Sequence, residues 1–185
     1  MKQPINRRGF LGKTALAGAG LAFITSTNSL FAFSNNNSPF KGYNPFAEEK
    51  NDLRTNPFGK HITISGKIYD AQGESTLSNA KVEVWHLSPN SKKFRHQAKL
   101  KTDEQGRYSF ITDIPAVGDN KTRKIFFKVS NKDHVYFTQL YVLERTASFN
   151  STHWEDNQSL GKKLATKTVN GHNKMTVEFN ISLKN

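Results

Sequence analysis

The chain has 185 residues, with 27 lysines and arginines against 15 aspartates and glutamates, a formal charge of +12, and no cysteine. The missing cysteines exclude disulfides and thiolate-held metals, so stability must come from packing alone. The charge sits in short clusters (Lys92-Lys93, Lys121–Lys124, Lys162-Lys163) without the interleaved aromatics of a recognition module, and nucleic acid is not an expected partner.

Residues 1–32 read as an export signal. Arg7-Arg8-Gly9-Phe10-Leu11 has the twin-arginine pattern and stands directly before the Ala/Gly-rich run Thr14–Thr25, which is too short to hold the chain in a bilayer. The expected route is twin-arginine export to the periplasm or the exterior, with cleavage near Ala32 and no membrane anchor afterwards. Lys2, Arg7, Arg8 and Lys13 leave with the segment and no acidic residue does, which takes +12 to +8. Residues 33–60 read as a linker and an N-terminal arm. Ser34–Pro39 is polar and of low complexity. Asn44-Pro45-Phe46 and Asn56-Pro57-Phe58 flank Ala47–Leu53, for which one or two helical turns are expected, with the two phenylalanines packing the arm onto the domain.

Residues 61–185 read as one domain of strands. Ile62, Ile64 and Ile68 share one parity, and so do Val82 and Val84, the two-residue period of a sheet with one buried face. Asp70-Ala71-Gln72-Gly73 and Asp103-Glu104-Gln105-Gly106 are turns. A basic loop follows Trp85. Ile125, Phe127 and Val129 then point one way and Lys124, Phe126 and Lys128 the other. Val135–Val142 is a further strand, Glu144–Gly171 a long polar loop holding Trp154, and Met175, Val177, Phe179, Ile181 and Leu183 alternate as the closing strand. The expected fold is all-β, a two-sheet β-sandwich with an N-terminal arm and a long polar loop before the last strand. Trp85 is expected to be buried beside Tyr108 and that last strand.

Gly66-x-Ile68-x-Asp70-x-x-Gly73, then Asn79-Ala80-x-Val82-Glu83-Val84-Trp85, then Thr102-Asp103-x-x-Gly106-Arg107-Tyr108-x-Phe110 resembles the core of the intradiol ring-cleavage dioxygenases. Phe126–Ser130 and Phe137–Val142 are similar to later strands of that family, so the resemblance covers roughly residues 57–142. It implies an enzyme that opens aromatic diols with ferric iron held by two tyrosinates and two histidines, hard donors that favour the ferric state. Carried onto this chain, the histidine positions hold Lys124 and Phe126, and the tyrosine positions hold Phe94 and Gly118. His86, His96 and His134 lie on separate segments without ligand spacing and are read as surface or packing residues. The expectation is therefore a non-catalytic relative with no iron and no other cofactor.

The vacated positions Phe94, Gly118, Lys124 and Phe126, supported by Lys93, Arg95, Arg123 and Gln139, are expected to form a cationic–aromatic cleft for a small aromatic or anionic ligand. Lys124 would pair there with Asp119 or with the ligand. The alternative within the same residues is that Phe94 and Phe126 fill the old cavity. The resemblance also implies partners: protocatechuate dioxygenases pair a catalytic subunit with a related iron-free one, so a homo-oligomer or a related catalytic subunit is expected. Two other readings stand beside this one, an active dioxygenase with ligands from unaligned loops and a transthyretin-like adhesion or polymer-binding sandwich. Exchanging both Arg7 and Arg8 for lysine keeps the charge but removes the planar guanidinium pair. Cell fractionation should then find the precursor accumulating in the cytoplasm, whereas undiminished export would indicate the general secretory route.

Overall fold

Alternation along the chain becomes pairing in the structure, a computed structural model that describes residues 38–132 and 134–183. The expected signal and the start of the linker, residues 1–37, lie outside the described residues. Ten strands follow in order: β1 (His61–Tyr69), β2 (Lys81–His86), β3 (His96–Lys101), β4 (Arg107–Asp113), β5 (Arg123–Asn131), β6 (His134–Val142), β7 (Ala147–Phe149), β8 (Lys167–Gly171), β9 (Lys174–Glu178) and β10 (Ile181–Ser182). One sheet runs β3-β2-β5-β6-β7, antiparallel throughout. In the other, β1 lies between antiparallel β4 and parallel β9, and β8 pairs with β9. Strand β10 continues β9 along β1 without a change of register, since Ile62 faces Met175 and Ile68 faces Ile181. The fold is the two-sheet β-sandwich that the periodicity predicts.

The core forms where the inward parities meet. Phe127 of β5 touches the rings of Tyr108, Phe110 and Phe179, with centroids 6.3, 6.1 and 5.3 Å away. Ile62, Ile64, Ile125, Val129 and Val177 surround them, all fully buried. Each such side chain contributes roughly 1.5–3 kcal/mol relative to exposure. Both expected turns are present, with Gly73 at φ 71° and Gly106 at φ 70°, values that other residues adopt only at a cost. Gly66 is required for a different reason. A Cβ there would overlap the Phe179 carbonyl, which accepts a 2.6 Å hydrogen bond from the Tyr108 hydroxyl.

Five expectations are corrected. The arm forms no helix at residues 47–53. It runs extended, exchanging Lys99 N–H···O Glu48 and Lys50 N–H···O Lys99 bonds with β3, then Leu53 N–H···O Ile111 and Ile111 N–H···O Asn51 bonds with β4. A helix of one or two turns is marginal alone, and two free strand edges offer the backbone better partners. Phe46 and Phe58 do not pack: they are 87% and 91% exposed. Their Asn-Pro-Phe tripeptides are turns, in which the side chains of Asn44 and Asn56 accept the backbone N–H groups of Phe46 and Phe58. Leu53, 5% exposed, is one of the residues that anchor the arm instead.

The basic loop after Trp85 includes strand β3, whose His96, Ala98 and Leu100 face inward. The long polar segment before β9 is also structured, by β7, the short helix α1 (Ser151–Asp156), a 3-10 turn (Gln158–Lys163) and β8. Asn150 caps α1 by accepting the His153 N–H. Trp85 is 1% exposed but is not beside Tyr108. Val82 and Val84 point into the core, so Trp85 takes the outer face of its sheet. There it meets Tyr43 and Phe126 at 5.1 and 5.7 Å and donates its indole N–H to the Lys41 carbonyl. Trp85→Ala should therefore cost about 3–5 kcal/mol in a denaturant melt, while Phe46→Ser stays within about 0.5 kcal/mol of the parent. A loss below about 1 kcal/mol for Trp85→Ala would mean that the arm does not seal it.

Candidate functional site

On the outer face of β5, Phe126 is the centre of an aromatic group. Phe40 of the arm stacks on it at 4.9 Å, Trp85 at 5.7 Å, and Phe94, from the loop between β2 and β3, leans against it at 6.2 Å. The arm must pass close beneath Phe94, and it does so at Gly42, at φ 83°, where a Cβ would collide with the ring. Two residues from Phe126, and so on the same face, Lys124 places its ammonium 5.2 Å from the centre of the Tyr141 ring. Gln139, opposite Phe126 in the register, donates to the Tyr141 hydroxyl at 2.9 Å.

Phe40, Phe94, Lys124, Phe126 and Gln139 line one cleft of about 430 Å3, between the arm, β5, β6 and the loop from β4 to β5. Phe94, Gly118, Lys124, Phe126 and Gln139 are all on its wall, as expected. Lys93, Arg95 and Arg123 are not. Lys93 and Arg95 flank Phe94 and are exposed, and Arg123 lines two other clefts. Lys124 has no salt bridge to Asp119, although both line the cleft. Phe40, Lys41 and Thr122 are among the contributors that were not anticipated. The Thr122 hydroxyl is buried without a hydrogen-bond partner among the described residues. No local signal marks the arm residues, because the arm reaches the cleft only through pairing with distant strands.

Beside the cleft, the same sheet face holds a buried ionic knot. The Tyr43 hydroxyl donates to Glu83 Oε1 at 3.1 Å and accepts from Lys128 Nζ at 3.0 Å, while that Nζ lies 3.6 Å from Glu83 Oε2. Burial draws the Lys128 ammonium below its ordinary pKa against the pull of Glu83. Burial and the Glu83 carboxylate together push the Tyr43 phenol upward. The knot fixes the arm in register over Trp85.

Two of the three histidines, His86 and His96, are brought together. His86 and His96 face each other across β2 and β3 with rings stacked at 4.7 Å. His96 Nε2 is 3.0 Å from Asp113 Oδ2, His96 Nδ1 2.9 Å from Ser88 Oγ, and His86 Nε2 2.7 Å from Thr112 Oγ1. Burial would raise the Asp113 carboxyl, but hydrogen bonds from Thr55 and His96 outweigh it and hold it below its usual range. Cross-strand register brings the pair together, which spacing along the chain does not reveal. His134 is exposed at the start of β6.

A ferric ion is a poor match for the cleft. Phe94 and Phe126 offer no donor atom, Lys124 brings a positive charge, and no tyrosine or histidine is on the wall. Among the described residues no group of three or more His, Cys, Asp or Glu side chains is arranged to hold a metal.

No protein-family model matches the chain. Catechol 1,2-dioxygenase of Acinetobacter baylyi is 33% identical over 76 residues, which cover 35% of this chain and 24% of that enzyme. The match thus spans about a quarter of the relative's length. Among solved structures, the dioxygenase domain of a dioxygenase carbohydrate-binding protein fusion from Streptomyces sp. SirexAA-E superposes with a TM-score of 0.60 at 17% identity, covering 80% of this chain and 96% of that one. The intradiol ring-cleavage dioxygenase of Tetranychus urticae gives 0.57 at 15%, covering 77% and 89%. Catechol 1,2-dioxygenase from Acinetobacter sp. ADP1 gives 0.51 at 20%, covering 85% and 67%. The fold is intradiol dioxygenase-like. The sequence similarity is weak and agrees with it.

Two buried histidines contribute to the acid response of this intradiol-like sandwich. Burial lowers His86 to about 3 and His153, packed under β6, to about 4. Both therefore stay neutral when folded, whereas in the unfolded chain they titrate near about 6.5. From there down towards pH 4 the unfolded chain binds more protons, so stability is full above the window and falls as pH drops through it. The slope is about 1.4 kcal/mol per pH unit for each histidine. His153→Gln should remove close to one proton from the slope of unfolding free energy against pH. An unchanged slope would show that His153 titrates normally.

Proposed function

We propose that this chain is an exported, non-catalytic intradiol dioxygenase-like protein, a binding or partner subunit that takes a small aromatic anion in the cleft beside β5. One observation carries the reading: Phe94, Lys124 and Phe126, which stand at three positions where the resemblance places iron ligands, converge on one cleft. In place of a metal they present aromatic faces next to an ammonium without an acidic partner among the described residues. A benzoate-type ring would lie in the cleft against the rims of Phe94 and Phe126, with its carboxylate towards Lys124. The buried Thr122 hydroxyl and the Gln139 amide oxygen are then available to ring hydroxyls. A charge-assisted hydrogen bond of this kind contributes about 1.5–3 kcal/mol.

Two measurements test the reading on the mature protein. Elemental analysis after expression with iron should find far less than one iron per chain; a full equivalent with a visible tyrosinate band would make the protein a catalyst and end the proposal. Calorimetric titration with protocatechuate should show binding that Lys124→Ala weakens roughly tenfold or more, with catechol, which lacks the carboxylate, binding less well. Absence of binding to the parent, or equal binding to Lys124→Ala, would mean that Phe94 and Phe126 only fill space.

A further inference from the structure

A second concave surface adjoins the aromatic cleft at Ala116 and carries a different chemistry. A cleft of about 540 Å3 is lined by Lys60 from the end of the arm, Arg123 from the start of β5 and Lys174 from the start of β9. A neighbouring one of about 520 Å3 shares Arg123 and Ile114 with it and adds Lys92. The shared residues make the two a continuous groove, and four cations lie along it. None of the four has a salt bridge among the described residues, although the acidic Glu144 lines the same groove. Among the described residues seven lysines and arginines pair with carboxylates elsewhere, and these four do not.

The floor is aliphatic. Ile114 and Met175 lie in it, and Leu143 and Val117 line the groove at 46% and 51% exposure, two of the few large apolar side chains the described residues leave open to solvent. An elongated basic groove with this floor suits an extended acidic chain that also carries aliphatic side chains. It suits nucleic acid and polysaccharide less well, because no Phe, Tyr or Trp lines the groove for a base or a sugar ring to stack on. We propose that this groove docks an acidic, leucine-containing peptide segment of a partner protein, its carboxylates on Lys60, Arg123, Lys174 and Lys92 and its aliphatic side chains on Leu143, Val117 and Ile114.

The test uses a fluorescently labelled synthetic peptide of Glu-Glu-Leu repeats, read by anisotropy against the folded mature protein. The peptide should bind at low salt, and the double variant Arg123→Gln/Lys174→Gln should weaken it roughly tenfold or more, with an unchanged melting curve confirming the fold. Lys124→Ala, in the other cleft, should leave peptide binding unaltered. A Glu-Glu-Ser peptide of equal charge should bind more weakly, as a floor that uses Leu143 and Val117 requires. The proposal is overturned by no binding, by equal binding of the double variant, by equal binding of the serine peptide, or by polygalacturonate binding as tightly as the leucine peptide. The last result would make the groove a polysaccharide site.

Discussion

Strand β5 is covered on both faces, and much of the molecule follows from that. Ile125, Phe127 and Val129 build the sandwich core, while the alternate residues Lys124, Phe126 and Lys128 face outward and are half-buried or buried. Strands β2 and β6 flank it and hold its register residue by residue. A slip of one position would drive two lysines into the core and expose three apolar side chains. An outer face carrying Trp85 and Phe126 needs a cover. The arm supplies it, with Phe40 on Phe126 and the Lys41 carbonyl on the Trp85 indole. The cleft is the gap that this cover leaves over Lys124.

The knot of Glu83, Lys128 and Tyr43 places the cover. Taking both charges out of water costs several kcal/mol, and their attraction offsets this only with good geometry and further hydrogen bonds. Lys81 adds a 3.2 Å contact to Glu83 Oε1, and the Lys128 ammonium lies 4.9 and 5.8 Å from the Tyr43 and Phe137 rings. The value of such a group is in specificity more than in net stability. It accepts one placement of Tyr43, hence one placement of Phe40 and one shape for the cleft.

Much of this was legible in the sequence, and the limits have a physical pattern. Period-two alternation marked β1, β2, β5 and the closing strand, because inward side chains there are apolar and outward ones are mostly polar. Strand β3 escaped because histidine, alanine and leucine on its inner face are interleaved with glutamine and lysine beside a basic loop. The elements between β6 and β9 escaped because none is longer than six residues, too short for a period to show. Phe94, Lys124, Phe126 and Gln139 were found because each position is tied to a recognisable strand. Phe40 and the His86–His96 stack were not, since both depend on register between segments far apart in the chain. Trp85 was placed on the wrong face although the parity of Val82 and Val84 already assigned it to the other side.

The arm joins β3 in one sheet and β4 in the other, through Lys99 and Ile111. The arm can use both docking edges at once only when the two sheets have formed and stacked, which makes its docking a contact of long sequence range. A sandwich with a complete core but an undocked arm has no wall at Phe40, no cap on Trp85 and two bare strand edges. The cleft is thus complete only when the arm is docked. Until then the same edges are open to pairing with other chains, and self-association competes with completion of the cleft.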